Sequence, residues 1–208
     1  MIKDIKNKSN YINVNFQRGE LMTKIFSQSK QGAAAFIDVE TTGLSNQDEI
    51  VELAISLFQF DAETGQILKI KDRYSGLREP SIKIPPQVID IHGITNQDVK
   101  NKKLNQGKIA EMIDEAQALI AHNAQFDKRF VKELFPQVED KLWLCSMRGI
   151  NWKGKGFESK GLEYLIKQHN ISKLQTHRAQ DDVDVAIELL KQTNKKGQPY
   201  FYELIQKD

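Results

Sequence analysis

Residues 35–44 read AFIDVETTGL, and this segment constrains the chain more than any other, because Asp38 and Glu40 interrupt what is otherwise a buried-strand pattern. Taking an ionised carboxylate out of water costs several kcal/mol unless it is paired or bound to a cation. Successive strand residues point to opposite faces, so Asp38 and Glu40 share a face with Phe36, while Ile37 and Val39 point the other way. Both carboxylates lean toward one spot and repel each other unless a cation sits between them. A lone Asp-x-Glu on an exposed edge strand needs no such account, since charged side chains are ordinarily solvated. Other carboxylates in the chain decide between the two.

In NAQFDKRFVKELF, taken as a helix, Asp127 is followed at +3, +4 and +7 by Phe130, Val131 and Leu134, which places it on the buried stripe. In AQDDVDVAIELLK, Asp182 aligns with Ala186, Leu189 and Leu190, whereas Asp181 and Asp184 read as solvated charge. One inward carboxylate can be a helix N-cap, and that reading suits Asp127 taken singly. Four converging carboxylates are better explained by metal. Hard divalent cations such as Mg²⁺ or Mn²⁺ take carboxylate oxygens, and a pair of them about 3.5–4 Å apart suits in-line displacement at phosphorus. A nearby histidine then supplies the base.

The rest of the chain fits one domain with a tail. Its 208 residues carry 30 basic and 28 acidic side chains, so a polyanionic partner is neither demanded nor excluded and any nucleic-acid contact must come from a local patch. The single cysteine, Cys145, excludes an internal disulfide framework and a cysteine-based zinc site and suits a reducing, cytoplasmic setting. No leader pattern opens the chain and no stretch approaches about 18 apolar residues, so no membrane association is expected. Residues 1–31 are polar, with six basic and two acidic side chains, and read as a tail or arm, leaving 32–208 as the domain. AAAFIDV, EIVELAISLFQFD and QILKIKDRYSGL predict three strands in an antiparallel meander. Helices are expected in PQVIDIHGI and NQGKIAEMIDEA, then strand QALIAHN, helix AQFDKRFVKELF, strand KLWLCSM and helices KGLEYLIKQHN and AQDDVDVAIELLKQT. Strands first, then strand and helix in alternation, predict an α/β fold with a mixed sheet flanked by helices.

FIDVETTGL, HNAQFD and HRAQDD stand in the order and rough spacing of the three motifs of the DEDDh 3′-to-5′ exonucleases, which this chain resembles over about residues 33–192. That superfamily has a ribonuclease H-like fold and includes the epsilon proofreading subunit of DNA polymerase III, which the chain resembles most, ribonuclease T and oligoribonuclease. IHGIT also resembles a stretch of the epsilon-like branch, and Val183 replaces the usual alanine after the last aspartate. The resemblance implies that Asp38, Glu40 and Asp182 hold one metal ion, that Asp38 bridges to a second with Asp127, and that His177 is the general base. His177 lies five residues before Asp182; the tyrosine branch would need Tyr where Arg178 stands. A neutral imidazole of pKa near about 6.5 can take a proton from attacking water. The expected cofactors are two Mg²⁺ ions, with Mn²⁺ able to substitute, and the expected product is a nucleoside 5′-monophosphate.

Around this centre, Thr41, Thr42, Gly43 and Leu44 are expected to line the 3′-end pocket, with backbone amides near the terminal nucleotide and Leu44 wedged against its base. Phe126 is expected below that base or in the core, with His92 and Asn123 nearby. His92 and His169 read as helix-end hydrogen bonders, and His122 and Asn123 as residues that order a turn. NWKGKGFESKG lacks a phosphate-loop pattern and reads as a mobile basic loop whose Lys153, Lys155, Lys160 and Trp152 guide a single strand. PYFYELI reads as a final helix or a partner contact. The expected partner is single-stranded or 3′-terminal DNA, or RNA, together with a DNA polymerase subunit. Two alternatives stay open: an RNA-trimming exonuclease of the same superfamily, and a polymerase-associated binding module with little turnover.

Overall fold

Gln31–Thr41 form β1, the central strand of a five-stranded sheet, in a computed structural model that describes residues 30–172 and 176–206. β2 (Ile50–Asp61) and β3 (Ile67–Leu77) complete the expected antiparallel meander, while β4 (Ala118–Ala121) pairs parallel to β1 and β5 (Leu142–Cys145) parallel to β4, in the order β3-β2-β1-β4-β5. Gln31 pairs with Asp61, so the sheet begins one residue inside the expected tail. Residues 1–29 lie outside the described residues.

The helices are α1 (Pro86–His92), α2 (Gln106–Glu115), α3 (Ala124–Leu134), α4 (Ser146–Gly149), α5 (Leu162–Gln168), α6 (Ala179–Lys191) and α7 (Tyr200–Ile205). Each long one matches an expected segment, and α4, one turn long, was not expected. Two cores cover the sheet. On one face Phe36, Ala54, Phe58 and Phe60 pack with Val183, Ala186 and Leu190 of α6 and Phe201 of α7; on the other Ile37, Val39, Leu53 and Ile55 pack with Ile109 and Met112 of α2 and Phe130 and Val131 of α3. Each fully buried Val, Leu, Ile, Phe or Met among them contributes about 1.5–3 kcal/mol. Val183 is fully buried, so the added bulk relative to alanine is absorbed by the core. PYFYELI forms a docked helix, with Tyr200, Phe201, Leu204 and Ile205 buried. Among the described residues no helix is long and apolar enough to cross a membrane.

Candidate active site

β1 ends at a register shift between Glu40 and Thr41, and the carboxylates collect beside it. Strand alternation turns Asp38 and Glu40 toward the face covered by α6, while the inward side of α6 buries Asp182 among Val183, Val185 and Ala186. Asp127 enters from the opposite layer: it sits in the first turn of α3, 3% exposed, and accepts a hydrogen bond from the Val39 amide. His177, exposed just before α6, completes the group. The ligating atoms of Glu40, His177 and Asp182 lie within 4.8 Å of one another. Asp38 feels the negative charge of Asp127, Glu40 and Asp182.

This crowding sets the electrostatics. Burial, and then repulsion by Asp127, Glu40 and Asp182, holds the Asp38 carboxyl well above the usual carboxylate range. Burial followed by repulsion from Asp182, Glu52 and Asp127 pushes Glu40 up to about 8, with Arg178 opposing. Burial raises Asp127 to about 7 against the pull of its backbone hydrogen bonds. Hard carboxylate oxygens converging at this density fit divalent cations of the magnesium class, which remove both the repulsion and the cost of ionisation.

The residues expected at the 3′-end pocket divide. Leu44 is 78% exposed in the turn after β1. Arg129 of α3 steadies that turn by donating to the Leu44 carbonyl at 2.9 Å, while its guanidinium lies over the rings of Phe126 and Phe130 at 5.3 and 4.6 Å. Phe126 is half-buried and packs edge-on against Phe130, so it belongs partly to the core. Thr41 and Thr42 are held by bonds within the turn. Both are buried; Thr41 donates its hydroxyl to the Gly43 carbonyl at 2.6 Å, Thr42 donates its hydroxyl to Asp48 at 2.9 Å, and the Thr42 amide bonds the Glu49 carbonyl at 2.9 Å. Polar groups in a turn left without water must pair internally, which leaves the Thr42 amide and both hydroxyls engaged within the protein.

Gly43 is needed because of Asp48: a Cβ at Gly43 would stand 2.7 Å from the Asp48 carboxylate, which holds the Thr42 hydroxyl and the Ser45 amide. Gly43→Ala is therefore expected to displace the Leu44 turn and weaken substrate affinity by about tenfold, with about 1 kcal/mol lost from stability. Parallel KM and denaturant-midpoint measurements check it; an unchanged KM would show that the turn's shape is irrelevant.

The histidines fall as their sequence positions suggested. His122 is pushed down to about 4 by burial and ties the end of β4 to Ser146 Oγ at 2.9 Å and to the Lys160 carbonyl at 2.8 Å. His169 closes α5 through the Leu165 carbonyl and meets the Tyr200 hydroxyl. His92, buried at the end of α1, accepts from the Ile94 amide at 3.0 Å and lies within the electrostatic reach of Glu52, Arg178 and His177. Asn123 does not order its turn: its side chain makes no capping bond to α3, and its buried oxygen finds no hydrogen-bond partner among the described residues. Trp152 corrects its expected role as a stacking surface. It is fully buried, donates to the Ser146 carbonyl at 2.8 Å and packs on Tyr200, so it offers no stacking surface to a strand, and Lys155 is paired with Glu203 at 2.6 Å.

One residue beside the centre, Glu52, is missing from the sequence reading. Glu52 of β2 is the register partner of Glu40 and is buried against Arg178. Its signal was the one already used for Asp38, a carboxylate inside the apolar run EIVELAISLF.

Comparison with known proteins agrees with this geometry. The family model of the RNase T type, described as an exonuclease, matches residues 35–190. A PolC-type DNA polymerase III of Thermotoga maritima is 28% identical over 186 residues, covering 81% of this chain and 12% of the polymerase. The DNA polymerase III epsilon subunit of Treponema pallidum is 29% identical over 185 residues, covering 79% of this chain and 78% of that subunit. The chain therefore spans a small part of the polymerase and most of the epsilon subunit. An exonuclease I structure superposes with a TM-score of 0.62 at 23% identity, covering 83% of this chain and 42% of that one, which is a likeness of fold.

Proposed function

The chain belongs to the RNase T-type exonuclease family of the DEDDh 3′-to-5′ superfamily, and on that premise we propose that it removes nucleoside 5′-monophosphates from the 3′ end of a DNA strand. The observation that carries this reading is the convergence of Glu40, His177 and Asp182 within 4.8 Å beside half-buried Asp38 and buried Asp127. Asp38, Glu40 and Asp182 would hold one divalent cation, and Asp38 with Asp127 a second. When bound, such a pair supplies the Lewis acidity that activates water and offsets charge at phosphorus and at the departing 3′-oxygen.

The chain's own residues do the rest. His177, exposed at the mouth of the cluster, takes the proton of the attacking water on an imidazole nitrogen. Leu44 presses against the terminal base, and Arg129 keeps that wedge in place by holding its carbonyl. Leu44→Ala is expected to raise KM for a single strand by about tenfold with kcat nearly kept, because the contact is equally strong before and during the reaction. A loss in kcat alone would contradict a binding role.

DNA is favoured over RNA as substrate by the similarity to the epsilon subunit across most of both chains, which also supports work alongside a DNA polymerase. The test is a time course with the full-length chain on 5′-labelled DNA and RNA strands of one sequence, in Mg²⁺ or EDTA. A ladder shortening from the 3′ end, faster on DNA and absent in EDTA, is expected. Faster loss of RNA would select the RNA-trimming alternative, and no degradation with any divalent cation would overturn the enzyme reading.

A further inference from the structure

Glu52 is 3% exposed, one strand away from Glu40 and directly opposite it in the sheet. Its carboxylate accepts three hydrogen bonds, from Arg178 Nε at 3.1 Å, from an Arg178 terminal nitrogen at 2.7 Å and from the Ala179 amide at 2.9 Å. Ala179 opens α6, and its amide is one of those a helix N-terminus leaves without an intrahelical partner. One buried carboxylate thus ties the first turn of α6, which carries Asp182, to the strand beside Glu40, and grips the residue next to His177. His177 itself has φ 53, a left-handed conformation uncommon for a residue with a Cβ, and such a conformation persists where its surroundings hold it.

Charge sharpens the need for the pair. Glu52 lies close enough to add to the repulsion on Asp38 and Glu40, and Arg178 offsets it at Glu40. Removing the Glu52 charge alone would leave a guanidinium without its partner beside a cation site. A purely structural brace would not require the bidentate fork to reach the residue flanking the base.

We infer that Glu52, acting through Arg178 and the Ala179 amide, is a positioning residue that sets His177 and Asp182 against Glu40. The inference deepens the function proposed above and rests on it for its kinetic consequence. Glu52→Gln, Arg178→Gln and the double variant are compared in the full-length chain. Each single change is expected to lower kcat by about 10- to 100-fold with KM within about threefold, as misplacement of reacting groups does. The double variant is expected to be no slower than the slower single one, because the two residues act as a unit. Mn²⁺ affinity, measured without substrate, is expected to fall about tenfold in Glu52→Gln, and the Ala179 amide to exchange faster with solvent.

Losses that multiply in the double variant, an effect confined to KM, or unchanged Mn²⁺ affinity would overturn the inference. A wild-type chain without turnover would overturn the exonuclease reading instead, and Mn²⁺ affinity with Ala179 exchange would then decide the inference alone. If Glu52→Gln does not fold, Arg178→Gln decides it: its guanidinium is nearly half exposed, so a fold intact with kcat unchanged would refute the role.

Discussion

Asp38→Asn is expected to cut the exonuclease rate by a factor of about 10³ or more while raising the melting temperature of the cation-free protein at pH 8. The loss corresponds to about 4 kcal/mol of transition-state stabilisation, the scale of removing a group that the reaction uses and ground-state binding does not. The gain has the opposite origin. Asp38 is half-buried beside Asp127, Glu40 and Asp182, whose negative charges reinforce one another, with Arg178 opposing them at Glu40. An amide of the same shape removes the repulsion, and about 1 kcal/mol of relief moves the transition of a domain this size by about 2–4 °C. Rates on a labelled strand and thermal unfolding in EDTA check the two halves together. A variant both inactive and less stable in EDTA would mean that Asp38 braces the fold.

The second large effect is a pH dependence whose sign follows from the same crowding. Glu40 sits near 8 in the fold against 4.5 for the free side chain, and Asp127 near 7 against 3.8. Between those limits the folded protein keeps protons that the unfolded chain has lost, so these groups stabilise the fold fully below about pH 4 and lose that stabilisation as pH rises through 7 to 8. His122 runs the other way, since its value of about 4 lies below the free 6.5, and its effect is confined to acid pH. From about pH 6.5 to 8.5 the cation-free melting temperature is therefore expected to fall. Saturating Mg²⁺ is expected to raise it more at pH 8.5 than at 6.5, because cation and protons compete for the same oxygens. Thermal unfolding across that range with Mg²⁺ or EDTA measures both trends, and a Mg²⁺ increment independent of pH would contradict them.

Much of this site is legible in the sequence because burial of charge is an anomaly that periodicity exposes. Period two put Asp38 and Glu40 on one face, and period 3.6 put Asp127 and Asp182 on inward stripes; all four are where those periods place them. What periodicity does not carry is pairing between distant segments. Glu52 reads as one charge in a strand until Arg178, 126 positions away, is seen to bind it. Trp152 reads as a stacking surface for a strand because aromatics serve ligands and interiors alike, and the partner that claims it, the Ser146 carbonyl, is fixed by tertiary structure. The four-residue α4 is too short to show a period.

The proposed function requires the crowded carboxylates of this cluster to take up divalent cations that offset their charge. Calorimetric titration of Mn²⁺ into the full-length chain at pH 7.5, in two buffers of different ionisation enthalpy, tests it most directly. The account predicts saturable binding accompanied by net proton release, strongly weakened by Asp38→Asn. Absence of saturable binding, or binding of equal strength in the variant with no protons released, would contradict it.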